Sequence, residues 1–195
     1  MNRVIAHQLE ALAADDLDTR ERLAADGGLF DGYHPEMQAV HEANASQLET
    51  IIAAIGWPTP RLVGDDGAQA AWLVAQHAIG LPSFQRKCLE LLRQAVAAGD
   101  APAWQMAMML DRIRTFEGRP QVYGTQFDWD DEGQLSPGFI EDRDGVDQRR
   151  REVGLEPLEA ATNRIRTRDA ARSRPANLAE HRKRMDAWAQ DVGWR

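Results

Sequence analysis

The sequence predicts a mainly α protein: an irregular bundle of about five to seven helices with one small β-hairpin and a C-terminal helical extension. Three observations carry that expectation. Apolar residues recur every three or four positions through most of the first 116 residues. Proline and glycine punctuate the chain where one helix would stop and the next begin. Aromatic and β-branched residues cluster around a Gly-containing turn in only one stretch, after Gln121.

Taken in order, Val4, Ile5, Leu9, Leu12, Leu17 and Leu23 mark a first helix, with a break expected near Asp15-Asp16 and a stop at Gly27-Gly28. A second helix is expected from Pro35, since proline is tolerated at the first helical position, through Met37, Val40, Leu48, Ile51, Ile52 and Ile55 to Gly56. Trp57-Pro58-Thr59-Pro60 forces a turn. The run "AQAAWLVAQHAIG" reads as an apolar central helix that Asp65 or Asp66 could cap. Pro82-Ser83 opens a helix over Phe84 to Ala98, and Pro102 opens another that runs to Phe116 and ends at Gly118. "VYGTQFDWDDEGQLSPGFI" then reads as a hairpin turning at Asp131-Glu132-Gly133, its first strand beginning near Gln121. Short helices are expected at Asp147–Val153 and Thr162–Arg172. A connector at Ser173-Arg174-Pro175 leads to a last amphipathic helix containing Leu178, Met185, Trp188 and Val192.

At 195 residues the chain suits one compact domain over residues 1–160, hairpin included, followed by a helical extension over 161–195. Residues 1–142 carry 10 basic and 22 acidic side chains, against 13 basic and 9 acidic in residues 143–195. The acidic body repels phosphate backbones, so no nucleic-acid partner is expected. No segment approaches the roughly 20 apolar residues of a membrane helix, and Met1 to Glu10 lacks the apolar core of a secretory signal. The expected location is therefore cytoplasmic, with no membrane contact. The single cysteine, Cys88, excludes an internal disulfide and a multi-cysteine zinc site.

Among residues able to do chemistry, His77 stands out as the titratable group of an otherwise apolar helix. Burial would hold it neutral and ready to act as a base, with Asp111 as the carboxylate that orients it. The alternative is a core histidine satisfied by a backbone carbonyl. His34 and His41 are seven apart, roughly 10 Å along a helix, too far for one ion to be chelated by that pair alone. "HPEMQAVH" also lacks the four-residue histidine spacing of a metalloprotease helix. "GDDGAQ" is not a phosphate loop, and no serine lies in a nucleophile elbow. Cys88 and the methionines of "MAMML" read as core. Gln121, Tyr123, Thr125 and Gln126, around the permissive Gly124, offer paired donors and acceptors suited to a neutral or zwitterionic ligand; equally, the glutamines could simply bridge the hairpin to the helices.

Four blocks in order, "GWPTPRLVG" at 56–64, "AAWLVAQHA" at 70–78, "LDRIRTFEGRPQVYGTQ" at 110–126 and "VDQRRREVGLEPL" at 146–158, resemble the DUF6624 family, a bacterial domain of unknown function. "DLDTR" at 16–20 and Asn44 also look like family positions, and the resemblance runs roughly from Ala11 to Leu158. It implies a shared pocket rather than a named reaction. The blocks contain His77, Asp111, Arg112, Gln121, Tyr123, Gly124, Thr125 and Gln126, while His34, His41 and the tail lie outside them.

The leading expectation is a metal-independent acid–base enzyme, hydrolase-like, needing no cofactor and acting on an amide-bearing, peptide-like or other small polar substrate. His77 would be the base or acid, Asp111 its orienting carboxylate, Arg112 the anchor for an anionic group, and Gln121, Tyr123, Thr125 and Gln126 the substrate-positioning set. The first alternative is a non-catalytic protein-binding or protective module, with the C-terminal extension as a possible partner surface. The second is a metal-dependent hydrolase using His34, His41 or His77 with Asp16 or Asp111.

Overall fold

Helices dominate the computed structural model, which describes residues 1–25, 32–169 and 175–195, and Pro35, Pro60 and Pro82 each open one of them. Among these residues the elements are α1 (Arg3–Ala25), α2 (Pro35–Ile55), α3 (Pro60–His77), α4 (Pro82–Ala97), α5 (Ala103–Phe116), β1 (Phe127–Trp129), β2 (Leu135–Pro137), α6 (Val146–Glu152), α7 (Leu158–Arg168) and α8 (Leu178–Asp191). The mainly α expectation with one small hairpin holds. The expected Gly27-Gly28 stop and the connector at 173–174 lie outside the described residues. No helix among the described residues is long and apolar enough to cross a membrane.

Contacts gather the chain into two compact units, Met1–Ala101 and Pro102–Arg195. In the first, α1 packs on both α2 and α3, which also pack on one another. The α1 face turned inward is Ala6, Leu9, Leu12, Ala13, Asp16, Thr19 and Leu23. That is a helical stripe, interrupted by an acid where another apolar residue would be expected. The expected break at Asp15-Asp16 is absent: α1 runs straight through, Leu17 is exposed, and Asp16 takes the inward position. Leu48, Ile51 and Ile52 of α2, Val63, Ala71 and Val74 of α3, and Leu89 and Leu92 of α4 complete this core.

Small residues let α1 and α3 approach closely, since a Cβ on Gly67 would stand 3.2 Å from the Ala6 backbone. Gly64, with φ 79°, interrupts the helical path of α3 before that contact. At the other end of α3, the buried Gln85 side chain donates to the carbonyls of Ala75 at 2.7 Å and Gln76 at 2.9 Å. Those carbonyls belong to the helix end that carries His77, so the terminus is tied to α4.

In the second unit, β1 and β2 pair antiparallel, Phe127 opposite Pro137 and Trp129 opposite Leu135, with the turn closed by Gly133 N–H donating to Asp130 C=O. The hairpin therefore begins six residues later than the sequence suggests. Gln121 instead makes an isolated parallel bridge with Ile140, and residues 122–126 form a loop. Ile140, Val146 and Leu158 form an apolar cluster beside it. The C-terminal tryptophans pack on α5 within the same unit, Trp194 stacked on Phe116 at 5.3 Å and Trp188 edge-on at 5.5 Å.

Gly124 sits at φ 65°, and a Cβ there would fall 2.7 Å from Ile140 Cδ1 and 3.0 Å from Leu158 Cδ1. Gly124→Ala combines left-handed strain with overpacking and is expected to cost about 2–4 kcal/mol. Thermal unfolding checks this, and a variant melting with the parent chain would contradict the packing described.

Candidate functional site

The first unit turns three polar side chains from three helices toward one another. Asp16 from α1 is 1% exposed, His41 from α2 is 8% exposed, and His77 ends α3 with part of its ring at the surface. His77 Nδ1 lies 3.0 Å from Asp16 Oδ1 and 2.9 Å from Oδ2. His41 Nε2 lies 3.2 Å from Asp16 Oδ2. The two rings are 5.4 Å apart between centroids. Asn44, one turn further along α2, donates to the Leu12 carbonyl at 2.9 Å and so fixes α2 against α1 just ahead of Asp16.

A buried carboxylate left alone would be driven to its neutral form. Here burial does raise the Asp16 pKa, but the hydrogen bonds and positive charge of His41 and His77 outweigh it and hold the carboxyl far below its ordinary range. The two imidazoles thus favour the ionised form of Asp16. Tyr33, just ahead of α2, places its hydroxyl 2.7 Å from His41 Nδ1. Burial first, then the nearby charges of Glu42 and Asp16, push its phenol well above the ordinary value, so Tyr33 stays a protonated partner.

The proximity of His41 Nε2 and Asp16 Oδ2 needs an explanation, because it forms no well-aligned hydrogen bond although the nitrogen is buried. The Tyr33–His41 contact admits two tautomers: with Tyr33 O–H donating to Nδ1, Nε2–H faces Asp16, and with Nδ1–H donating to the Tyr33 oxygen, Nε2 is a lone pair facing the carboxylate oxygen. Two acceptors that close need something positive between them, either a proton or a metal ion. The separations of 2.9 and 3.2 Å from one carboxylate oxygen are those of donors around a single ion, since bonds of about 2.1 Å place neighbouring ligands about 3.0–3.4 Å apart. One ligand atom from each of Asp16, His41 and His77 fits within 4.8 Å of the others. Two imidazoles and a carboxylate suit a divalent transition metal rather than calcium or magnesium, and three protein ligands leave positions for water or substrate.

Asp111 does something different. Its carboxylate, in the second unit and fully buried, accepts the backbone N–H groups of Val122 at 2.7 Å, Tyr123 at 3.1 Å and Thr125 at 3.0 Å, and the Thr125 hydroxyl at 3.1 Å. Burial raises its pKa against the pull of these hydrogen bonds. Every group aimed at it is a donor, so the ionised form is the one the loop satisfies.

A family model described as a family of unknown function, DUF6624, matches residues 8–172. The chain belongs to the DUF6624 family. No curated protein and no solved structure matches it. The DUF6624 match spans Asp16, His41, His77 and Asp111 alike, extending beyond both ends of the stretch that resembles the family by motif.

The expected pairing of His77 with Asp111 is therefore corrected: the carboxylate on His77 is Asp16, and Asp111 is committed to the 122–125 backbone. His34 is not one of the three converging side chains; its ring accepts from Glu36 N–H at the start of α2. Gln121 and Gln126 interlock, with Gln126 N–H donating to Gln121 Oε1 at 2.8 Å and Gln121 Nε2 donating to the Gln126 carbonyl at 2.9 Å. The Gln126 amide also accepts from Arg112 Nε and donates to Thr125 Oγ1. These residues bridge the loop to α5, which is the structural alternative for the glutamines.

Two outcomes check this assignment of structural roles. Asp111→Asn turns amide hydrogens toward N–H donors and is expected to destabilise the chain by about 2–4 kcal/mol in denaturant unfolding; equal stability would show the loop does not depend on that carboxylate. Cys88 is fully buried, and burial pushes its thiol up to about 12. The folded chain thus keeps a proton that the unfolded chain releases near 9.0, so this group leaves stability unchanged below that pH and lowers it progressively as the pH rises from 9.0 toward about 12. Iodoacetamide at pH 8 is expected to spare Cys88 in the native chain and modify it after unfolding; rapid native labelling would contradict its burial.

Proposed function

We propose that the first unit is a divalent-metal centre with Asp16, His41 and His77 as ligands, serving a hydrolytic reaction on a small polar substrate of amide-bearing or peptide-like type. The observation that carries this reading is the convergence of three potential ligand atoms from three helices within 4.8 Å, around a buried anion that has no Lys or Arg partner among the described residues. A bound metal would supply Lewis acidity and a water acidified into the neutral range. Asp16 would balance part of its cationic charge. His41 is oriented by the Tyr33 hydroxyl, a contact of the kind that fixes the tautomer of a ligating imidazole. His77, the most exposed of the three, would be the one a substrate reaches.

A second reading rests on the same His77–Asp16 contact: a metal-free acid–base dyad, with Asp16 taking the orienting role first expected of Asp111. The two readings separate on metal content and on His41. For a metal centre, chelator-treated protein binds one equivalent of Zn²⁺ or Co²⁺, and Co²⁺ gives visible absorption bands. Asp16→Ala, His41→Ala and His77→Ala are each expected to lower affinity by about 100-fold or more, and Tyr33→Phe by about 10-fold. Hydrolysis of a panel of amide and ester substrates is expected to follow metal loading. Stoichiometric binding that survives His41→Ala, or turnover in metal-free protein that needs His77 but not His41, would sink the metal reading and favour the dyad.

A further inference from the structure

The second unit contains a cavity of about 310 Å³ that plays no part in the metal proposal. Its wall carries four guanidinium groups, Arg112, Arg150, Arg164 and Arg168, against a single acid, Asp169. The volume is at the small end of those that hold ligands. Phe127, Leu155 and Ile165 supply apolar wall between the charges.

The arginines are not equivalent. Arg164 is neutralised by Glu156 at 2.7 Å and Arg168 by Asp169 at 2.8 Å. Arg150 is 3% exposed and spends its hydrogen bonds on neutral acceptors: Nε on the Glu156 carbonyl, Nη1 on the carbonyls of Tyr123 and Gly124. Among the described residues, its second amino group, Nη2, makes no hydrogen bond. Burial lowers the Arg150 pKa while Asp147, Glu156 and Asp111 pull it back, yet a guanidinium stays charged in any such setting. The oxygens of Asp111 accept from residues 122–125, and Asp147 Oδ1 accepts from Leu158 N–H. Those acids offset charge without giving Nη2 a partner. A buried cation with an unfilled planar donor edge on a cavity is half of a charge-assisted pair.

We infer that this cavity binds a small anion, one carboxylate or phosphate group on a short apolar body, with Arg150 as the buried donor and Arg112 beside it. The anion meets the guanidinium edges and the body lies against Phe127, Leu155 and Ile165. The site is separate from the metal ligands, so its test does not depend on them.

Benzoate and phenyl phosphate, with benzyl alcohol as the neutral counterpart, are titrated into the full chain while the arginine Nε–H and Gln126 side-chain signals are followed by NMR. Saturable shifts at Arg150 and Arg112 are expected with at least one anion and not with the alcohol. The tighter of the two anions identifies whether carboxylate or phosphate is the natural group. Arg150→Gln removes a residue that also holds the 123–124 backbone, so Arg112→Gln carries the test and is expected to weaken binding about tenfold with circular dichroism unchanged. Asp16→Ala is expected to bind as the parent does, which excludes anion capture by a metal. Non-saturating shifts, equal response to the alcohol, or full affinity in Arg112→Gln would overturn the inference.

Discussion

A carboxylate buried between two imidazoles is the constraint on which the first unit depends. Asp16 cannot be accommodated on the inner face of α1 by packing alone, because an isolated buried carboxylate is far costlier than the apolar residue its stripe calls for. Its solvation comes from His41 and His77, and each must arrive from a different helix. The positions of α2 and α3 against α1 are thus set by polar geometry as well as by leucine packing. The Asn44 bond to Leu12 and the Gln85 bonds to the end of α3 hold the same arrangement from either side.

The chain handles its two buried acids in opposite ways. Asp111 is surrounded by fixed backbone and hydroxyl donors, which leave its oxygens nothing to exchange. That is the environment of a structural anion organising a loop. Asp16 is bordered by ring nitrogens, which can lose a proton and become ligands in their own right. One carboxylate is sealed and the other is exchangeable, and the difference lies in the partner's chemistry rather than in depth of burial.

Much of this fold was legible because proline starts and glycine stops coincide with the apolar period, as at Pro35, Pro82 and Gly118. The hairpin start was misplaced because Gln121 to Gln126 have strand-like composition while the N–H groups of Val122, Tyr123 and Thr125 go to Asp111, a side chain eleven to fourteen residues back. His77 was visible as a polar residue in an apolar run. Its partner was not, since residues 16, 41 and 77 share no short spacing and a search within one helix compares His34 with His41 only. The available signal was the stripe itself: with Leu9, Leu12 and Leu23 facing inward, position 16 must face inward too. An acid there reads as a helix break until its burial is considered.

Gly67 faces α1 ten residues before His77, roughly 15 Å along the helix axis. It permits a close approach at one end of the α1–α3 contact, and His77 meets Asp16 at the other. Any side chain there acts as a wedge near a fulcrum, and the same α1–α3 contact carries its displacement toward the 2.9 Å contact at the far end. A residue that never touches the histidine thus bears on its reach, because room for the two helices to meet is left only where residue 67 has no side chain.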